Sequence, residues 1–371
     1  MDFALCQTIS ILPIRKILPA KITRRSIRLP RHTNIRRARC LQTPLTPVLR
    51  GGAERQSNIF DEPYRRILRD DTALLCGSPM RENGRTTLSQ IQAPREKWLQ
   101  RVIDAHTHLS ERRDDALNHF ARKNGLRYTL DELLGTMQRH RIVCGLLLSP
   151  PLQGGVPLPN GEVIRLCKRS GRMLAPVITV EPTAKEVKAA LKLAEENRKE
   201  VKAFKVRLGY VKASAESPVF DRLYDYAESE RLPVLFHTGD TAFSSGDLSR
   251  SHPLTLDGLA NKREELTIIL CHFGNPWFED VAELIYKHPN VYADISGLTT
   301  GGVYAEKYAE WLARKISEAI YFAAGADKVI FGTDYPVTKH ADTLALVRGL
   351  EVDESDKEKI LWRNAKRVFG L

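Results

Sequence analysis

Val102-Ile103-Asp104-Ala105-His106-Thr107-His108 begins as an apolar, β-branched run and ends in two histidines two residues apart. Successive side chains on a strand alternate faces, so His106 and His108 point the same way. Imidazole is a common ligand for divalent metals, which makes the end of this strand a candidate metal corner. Alone, the pair reads equally well as a solvated or structural histidine pair. The rest of the chain decides between the two.

Outward from this stretch, apolar runs recur. The first spans 101–106, and others follow at 142–148, 173–180, 201–208, 232–237, 266–272, 290–296 and 328–334. Helical patterns lie between them near 130–140, 161–170, 184–198, 217–230, 254–264, 277–288 and 305–323, with another at 341–350 after the last run. Strand starts about 25–40 residues apart match the length of a βα unit. Eight such units over 96–371 predict an α/β fold, a (β/α)8 TIM barrel, ahead of a doubly wound open sheet. A terminal helix, 354–369, is expected to pack outside the barrel.

Active sites of such barrels lie at the C-terminal ends of the strands. There the sequence places His106 and His108, Lys205 and Arg207, His237, His272, Asp294 with Ser296, and Asp334. Parity supports a polar mouth. Ile330, Gly332 and Asp334 share one face of the eighth strand, and Val329 and Phe331 share the other. On the fourth strand Ala203, Lys205 and Arg207 face one way, and Phe204, Val206 and Leu208 the other. Histidines joined by a carboxylate suit Zn²⁺, with Mn, Fe or Co as alternatives. Cys271, next to His272, is expected to face the opposite side and pack.

The net charge of +12 is unevenly spread. Eleven Lys or Arg fall in the first 50 residues against a single acid, Asp2, which leaves the remainder nearly neutral. Residues 1–95 read as a basic, disordered extension with one short helix near 61–69. They suit a targeting segment, a basic arm for an anionic partner, or a tail without function. The six cysteines show no paired spacing and read as free thiols of a reducing compartment. The expected location is therefore cytoplasmic, or organellar if residues 1–50 are a transit peptide. No run is long and apolar enough for a transmembrane helix. Gly301-Gly302 is a lone glycine pair, not a phosphate loop. A small-molecule substrate is the expected partner. Nucleic acid and membrane are not, and homo-oligomerisation stays open.

Six segments together resemble the amidohydrolase superfamily, in its amidohydrolase-related branch. They are VIDAHTH (102–108), LPVLFHTG (232–239), SHPLTLDGLANKREELTIILCHFGNPW (251–277), HPNVYADISG (288–297), FGTDYP (331–336) and ILWRNAKRVFGL (360–371). The resemblance covers about 101–371 and excludes 1–95. It implies that His106, His108, His237 and Asp334 are metal ligands. Asp334 would also take a proton from metal-bound water. His272 would be a general acid/base, or a ligand to a second metal. Lys205 would bridge two metals in a binuclear site, although one metal is favoured. Arg207 would clamp a substrate carboxylate or form a salt bridge in the mouth, and Asp294 would orient ligands. The implied activity is hydrolysis of an ester, lactone or amide carbonyl. The alternative is a lyase, a decarboxylase or hydratase of a carboxylated small molecule. DAHTH lacks the acid directly before a single histidine found in some decarboxylating relatives, which leans toward hydrolysis. A non-catalytic binding protein using the basic arm is the third reading.

Overall fold

The computed structural model describes residues 99, 101–299 and 305–371. The extension 1–95, the helix expected near 61–69 and the Gly301-Gly302 pair lie outside the described residues. Eight parallel strands run in sequence order: β1 (Val102–His108), β2 (Ile142–Leu148), β3 (Leu174–Thr179), β4 (Ala203–Val206), β5 (Val234–Phe236), β6 (Ile268–Leu270), β7 (Val291–Asp294) and β8 (Val329–Ile330). The sheet returns to its start just past β8. Ala105 N–H donates to Phe331 O at 2.9 Å, Asp334 N–H to His106 O at 2.7 Å, and His108 N–H to Tyr335 O at 2.7 Å. Helices alternate with the strands, so the fold is a nearly closed (β/α)8 barrel. Among the described residues no helix is long and apolar enough to cross a membrane.

Two apolar clusters follow from the alternation of side chains. Ile103, Ala105, Leu146, Leu148, Val177, Ala203, Leu235, Ile269, Cys271 and Ile330 fill the barrel interior. Their strand neighbours, among them Phe204, Val206, Phe236, Leu270, Val329 and Phe331, face the surrounding helices. Several helices start where a threonine can cap them. Thr129 accepts from Glu132 N–H ahead of Leu130–Arg139, and Thr183 accepts from Glu186 N–H ahead of Ala184–Glu196. Each cap satisfies a backbone donor that the first turn leaves open.

The structure departs from sequence expectation in three places that matter for the site. First, β5, β6 and β8 are shorter than the apolar runs, so His237, His272 and Asp334 sit just beyond the ladders. Second, β1 does not alternate strictly. Ile103 and Ala105 both point into the interior, yet His106 and His108 point into the mouth. A register shift between Asp104 and Thr107 reconciles the two, acting as a bulge that re-aims the side chains beyond it. Third, the terminal helix is neither continuous nor outside. It breaks into Glu354–Glu358, a π-helical turn Lys359–Arg363, and Asn364–Phe369. In the wide turn Ile360 O accepts Phe331 N–H at 2.9 Å. Ala365 and Phe369 join the interior cluster, and Lys202 Nζ, just before β4, donates to Gly370 O at 3.3 Å. This segment therefore closes the N-terminal end of the barrel.

Candidate metal centre

Four imidazoles meet at the C-terminal mouth, and their outer nitrogens fix where the protons lie. His106 Nδ1 is 3.0 Å from Asp294 Oδ2, His108 Nδ1 is 3.1 Å from Leu148 O, and His237 Nε2 is 2.9 Å from Asp240 O. Each acceptor is a carbonyl or carboxylate, so each of these nitrogens carries the hydrogen. His272 Nδ1 lies 3.2 Å from Ser296 O and 3.0 Å from Ser296 Oγ. The Ser296 hydroxyl gives its own proton to Asp294 Oδ1, so it can only accept from His272. His272 Nδ1 is protonated as well.

The opposite nitrogens are then bare lone pairs, and they face electron-rich partners. His237 Nδ1 stands 3.1 Å from His272 Nε2. Asp334 Oδ1 is 3.0 Å from His108 Nε2 and 3.4 Å from His106 Nε2. Lone pair against lone pair and lone pair against carboxylate repel unless a cation lies among them. At three of the four rings burial disfavours a proton in that role. Burial, then the neighbouring His272 and Lys205 charges, hold His237 well below its ordinary value. Burial lowers His272 to about 4. Burial and Lys205 lower His106 against the pull of Asp294. Burial pushes the Asp334 carboxyl up, but its contacts with His108, His106 and His272 outweigh this and hold it well below the usual carboxylate range. Ligand atoms about 2.0–2.2 Å from one zinc stand roughly 3–3.5 Å apart, which matches these separations. The donor set fits a divalent cation.

Among the described residues, two groups bring possible ligand atoms within 4.8 Å of one another: His106, His108 and Asp334, and His106, His272 and Asp294. The oxygens of Asp294 are already occupied. Oδ2 accepts from His106, while Oδ1 accepts from His272 N–H, Ser296 N–H and the Ser296 hydroxyl. Burial alone would raise this carboxyl, yet His106, its hydrogen bond and His272 keep it well below the usual range. Asp294 thus orients the His106 ring and holds its tautomer, while Leu148 O does the same for His108.

Backbone strain helps aim the mouth residues. His272, Phe273 and Asp334 have φ of 60°, 46° and 60°. Non-glycine residues there cost about 1–3 kcal/mol each and persist only where the surroundings enforce them. Gly297, with φ +67°, leaves room for both side chains, since a Cβ there would stand 3.0 Å from both Asp334 Oδ2 and His272 Nδ1. The enforcing element is Asp104, which sequence reasoning passed over. Its Oδ1 accepts Thr333 N–H at 3.0 Å and its Oδ2 accepts the Thr333 hydroxyl at 2.6 Å, clasping β1 to the segment that carries Asp334. Both residues sit inside the quoted motifs, in DAHTH and GTD.

The remaining predicted residues fall around this centre. Lys205 points into the barrel and donates to Cys271 Sγ at 2.8 Å. Cys271 therefore faces inward like His272, because the chain turns left-handed directly after it. Arg207 Nη2 pairs with Glu181 Oε1 at 2.8 Å, and Nη1 donates to Gly155 O at 3.0 Å. Tyr210, unremarked in the sequence, lays its ring 4.7 Å from that of His237 and accepts Ala242 N–H at 2.7 Å.

A parallel barrel with histidines and a carboxylate gathered at its C-terminal mouth defines a metal-dependent TIM-barrel enzyme of hydrolase or lyase type. More narrowly, the amidohydrolase family model matches residues 103–371, and the chain belongs to that family, whose members depend on metal. Solved structures share the fold. An uncharacterised TIM-barrel protein from Bordetella bronchiseptica superposes with a TM-score of 0.58 at 20% identity, over 73% of this chain and 98% of that one. A probable 2-pyrone-4,6-dicarboxylic acid hydrolase from Acinetobacter baumannii, with citric acid bound, gives 0.53 at 17% identity over 73% and 99%. A dihydroxybenzoic acid decarboxylase from a Polaromonas species, with bound manganese and the inhibitor 2-nitroresorcinol, gives 0.54 at 16% identity over 73% and 97%.

Proposed function

We propose that this chain is a metal-dependent hydrolase that directs water at an ester, lactone or amide carbonyl of a small molecule. The observation that carries the reading is the ionised Asp334 set against the inner nitrogens of His106 and His108, with the facing His237 and His272 rings next to them. His106 Nε2, His108 Nε2, His237 Nδ1 and Asp334 would hold a single divalent ion, zinc first, with manganese, iron or cobalt suited to the same donors. One ion is favoured because Lys205, the residue that would bridge two, donates to Cys271 instead. When bound, such an ion makes hydroxide available near neutral pH and polarises a carbonyl. Asp334, ionised at neutral pH, accepts a proton from the attacking water. His272, locked by Ser296 with its bare Nε2 toward the centre, carries a proton to the leaving group. Tyr210 walls the pocket beside His237.

The second reading, a decarboxylase or hydratase of a carboxylated small molecule, uses the same cradle. The buried Lys205 cation favours it, since it offers a substrate carboxylate a partner. The neutralised Arg207 speaks against it. A substrate panel run with the zinc-loaded full chain separates the two. Acid released from esters, lactones or amides without CO₂ supports hydrolysis. CO₂ from carboxylated ring compounds would replace that reading with the lyase, and turnover of neither set would overturn both.

A further inference from the structure

Lys205 and Cys271 make a contact for which the metal centre has no use. Lys205 lies on β4 and Cys271 directly follows β6, at 5% and 0% exposure, with Nζ 2.8 Å from Sγ. An N–H···O bond ordinarily spans about 2.9–3.0 Å. Sulfur is the larger atom, so 2.8 Å to sulfur is a compressed approach. A thiol is also a weak acceptor, and among the described residues Sγ is the one hydrogen-bond partner of Nζ. A buried ammonium so poorly matched is expensive. As a hydrogen bond the pair is badly made. As the reduced form of a covalent link it is well placed.

We propose that oxidation joins Lys205 Nζ and Cys271 Sγ through a single oxygen, bridging β4 to the end of β6 beneath the metal centre. An oxygen inserted between nitrogen and sulfur spans a gap of this size, whereas a direct N–S bond would need the two strands to move together. The ammonium first gives up a proton. One N–H and one S–H bond then break, and N–O and O–S bonds form. Nitrogen and sulfur each lose two electrons, and two molecules of hydrogen peroxide take up the four, releasing three waters. Dioxygen as the oxidant takes the same four and releases one water. Cys167 is a built-in comparison, because it is buried without an amine against it. Burial raises both thiols; at Cys271 the Lys205 charge opposes the rise and Asp294 adds to it. The link itself stands or falls independently of the metal reading.

The test is mass spectrometry of the full chain exposed to hydrogen peroxide, with half the sample then reduced by a dithiol. The bridge adds one oxygen and removes two hydrogens, so a gain of about 14 Da that the dithiol reverses is expected. The tryptic map should show the peptides of Lys205 and Cys271 joined, with cleavage after Lys205 lost. Cys271→Ser and Lys205→Met should each lack the species. Separate peptides in the oxidised wild type, or oxygen on Cys271 with Lys205 still cleavable, would overturn the proposal. So would a gain of about 14 Da that survives the dithiol or persists in Cys271→Ser. The wild-type map decides even if neither variant folds.

Discussion

The two ends of this barrel are built from opposite materials. At the N-terminal end, Ala365 and Phe369 seat on an interior of aliphatic side chains that includes Val177, Leu235, Ile269 and Ile330. At the C-terminal end, four imidazoles and two ionised carboxylates share a buried mouth, held by left-handed backbone at His272, Phe273 and Asp334. Burying apolar surface stabilises, while burying bare lone pairs and strained backbone costs. The lesson is a division of labour, in which the lower end supports a destabilised upper one. That is the usual relation between a scaffold and its site.

The largest expected effect comes from removing the upper end's ligands. His106→Ala/His108→Ala should abolish metal binding and activity, yet melt within a few degrees of the metal-free wild type. A far lower melt in chelator would mean that the mouth is itself structural. Truncating the lower end should do the reverse. Phe369→Ala should destabilise by about 3–5 kcal/mol in denaturant while the folded fraction keeps its metal. Loss of metal at unchanged stability would break the division.

A smaller effect is expected where the two materials meet. Asp294→Asn leaves the fold in place but puts an amide where two acceptor oxygens now serve His106, His272 and Ser296. Metal affinity measured by chelator competition should fall about 10–100-fold. The metal-free protein should also show an acid response. Burial holds His272 near 4 and His237 below its ordinary value, whereas in the unfolded chain both bind protons near 6.5. Their contribution to stability is therefore complete above about pH 6.5 and is lost as pH falls from there toward 4, by up to about 1.4 kcal/mol per pH unit for each group. Urea midpoints between pH 7 and 4.5 check this, and a flat profile would mean that these imidazoles are not held neutral.

The same contrast explains what the sequence could reveal. Barrel and strand order were legible because inward and outward residues alternate over runs such as 203–206 and 329–331, a short-range property. Strand-end chemistry was legible because His106, His108, His237, His272 and Asp334 interrupt those runs. How the last two are aimed was not. Their positive φ depends on contacts such as Asp334 N–H to His106 O, between residues far apart in the chain. The β1 bulge hid for a related reason, since a register shift exists only against a partner strand. The pairing of Arg207 with Glu181 joins consecutive strand ends that no local pattern connects.

The most direct measurement is the metal content of the purified wild-type chain after metal-replete growth, beside His106→Ala/His108→Ala. About one divalent ion per wild-type chain and almost none in the variant is the predicted result. Almost none in the wild type would contradict the metal centre. About two per chain would leave the centre standing and return Lys205 to the role of a bridge.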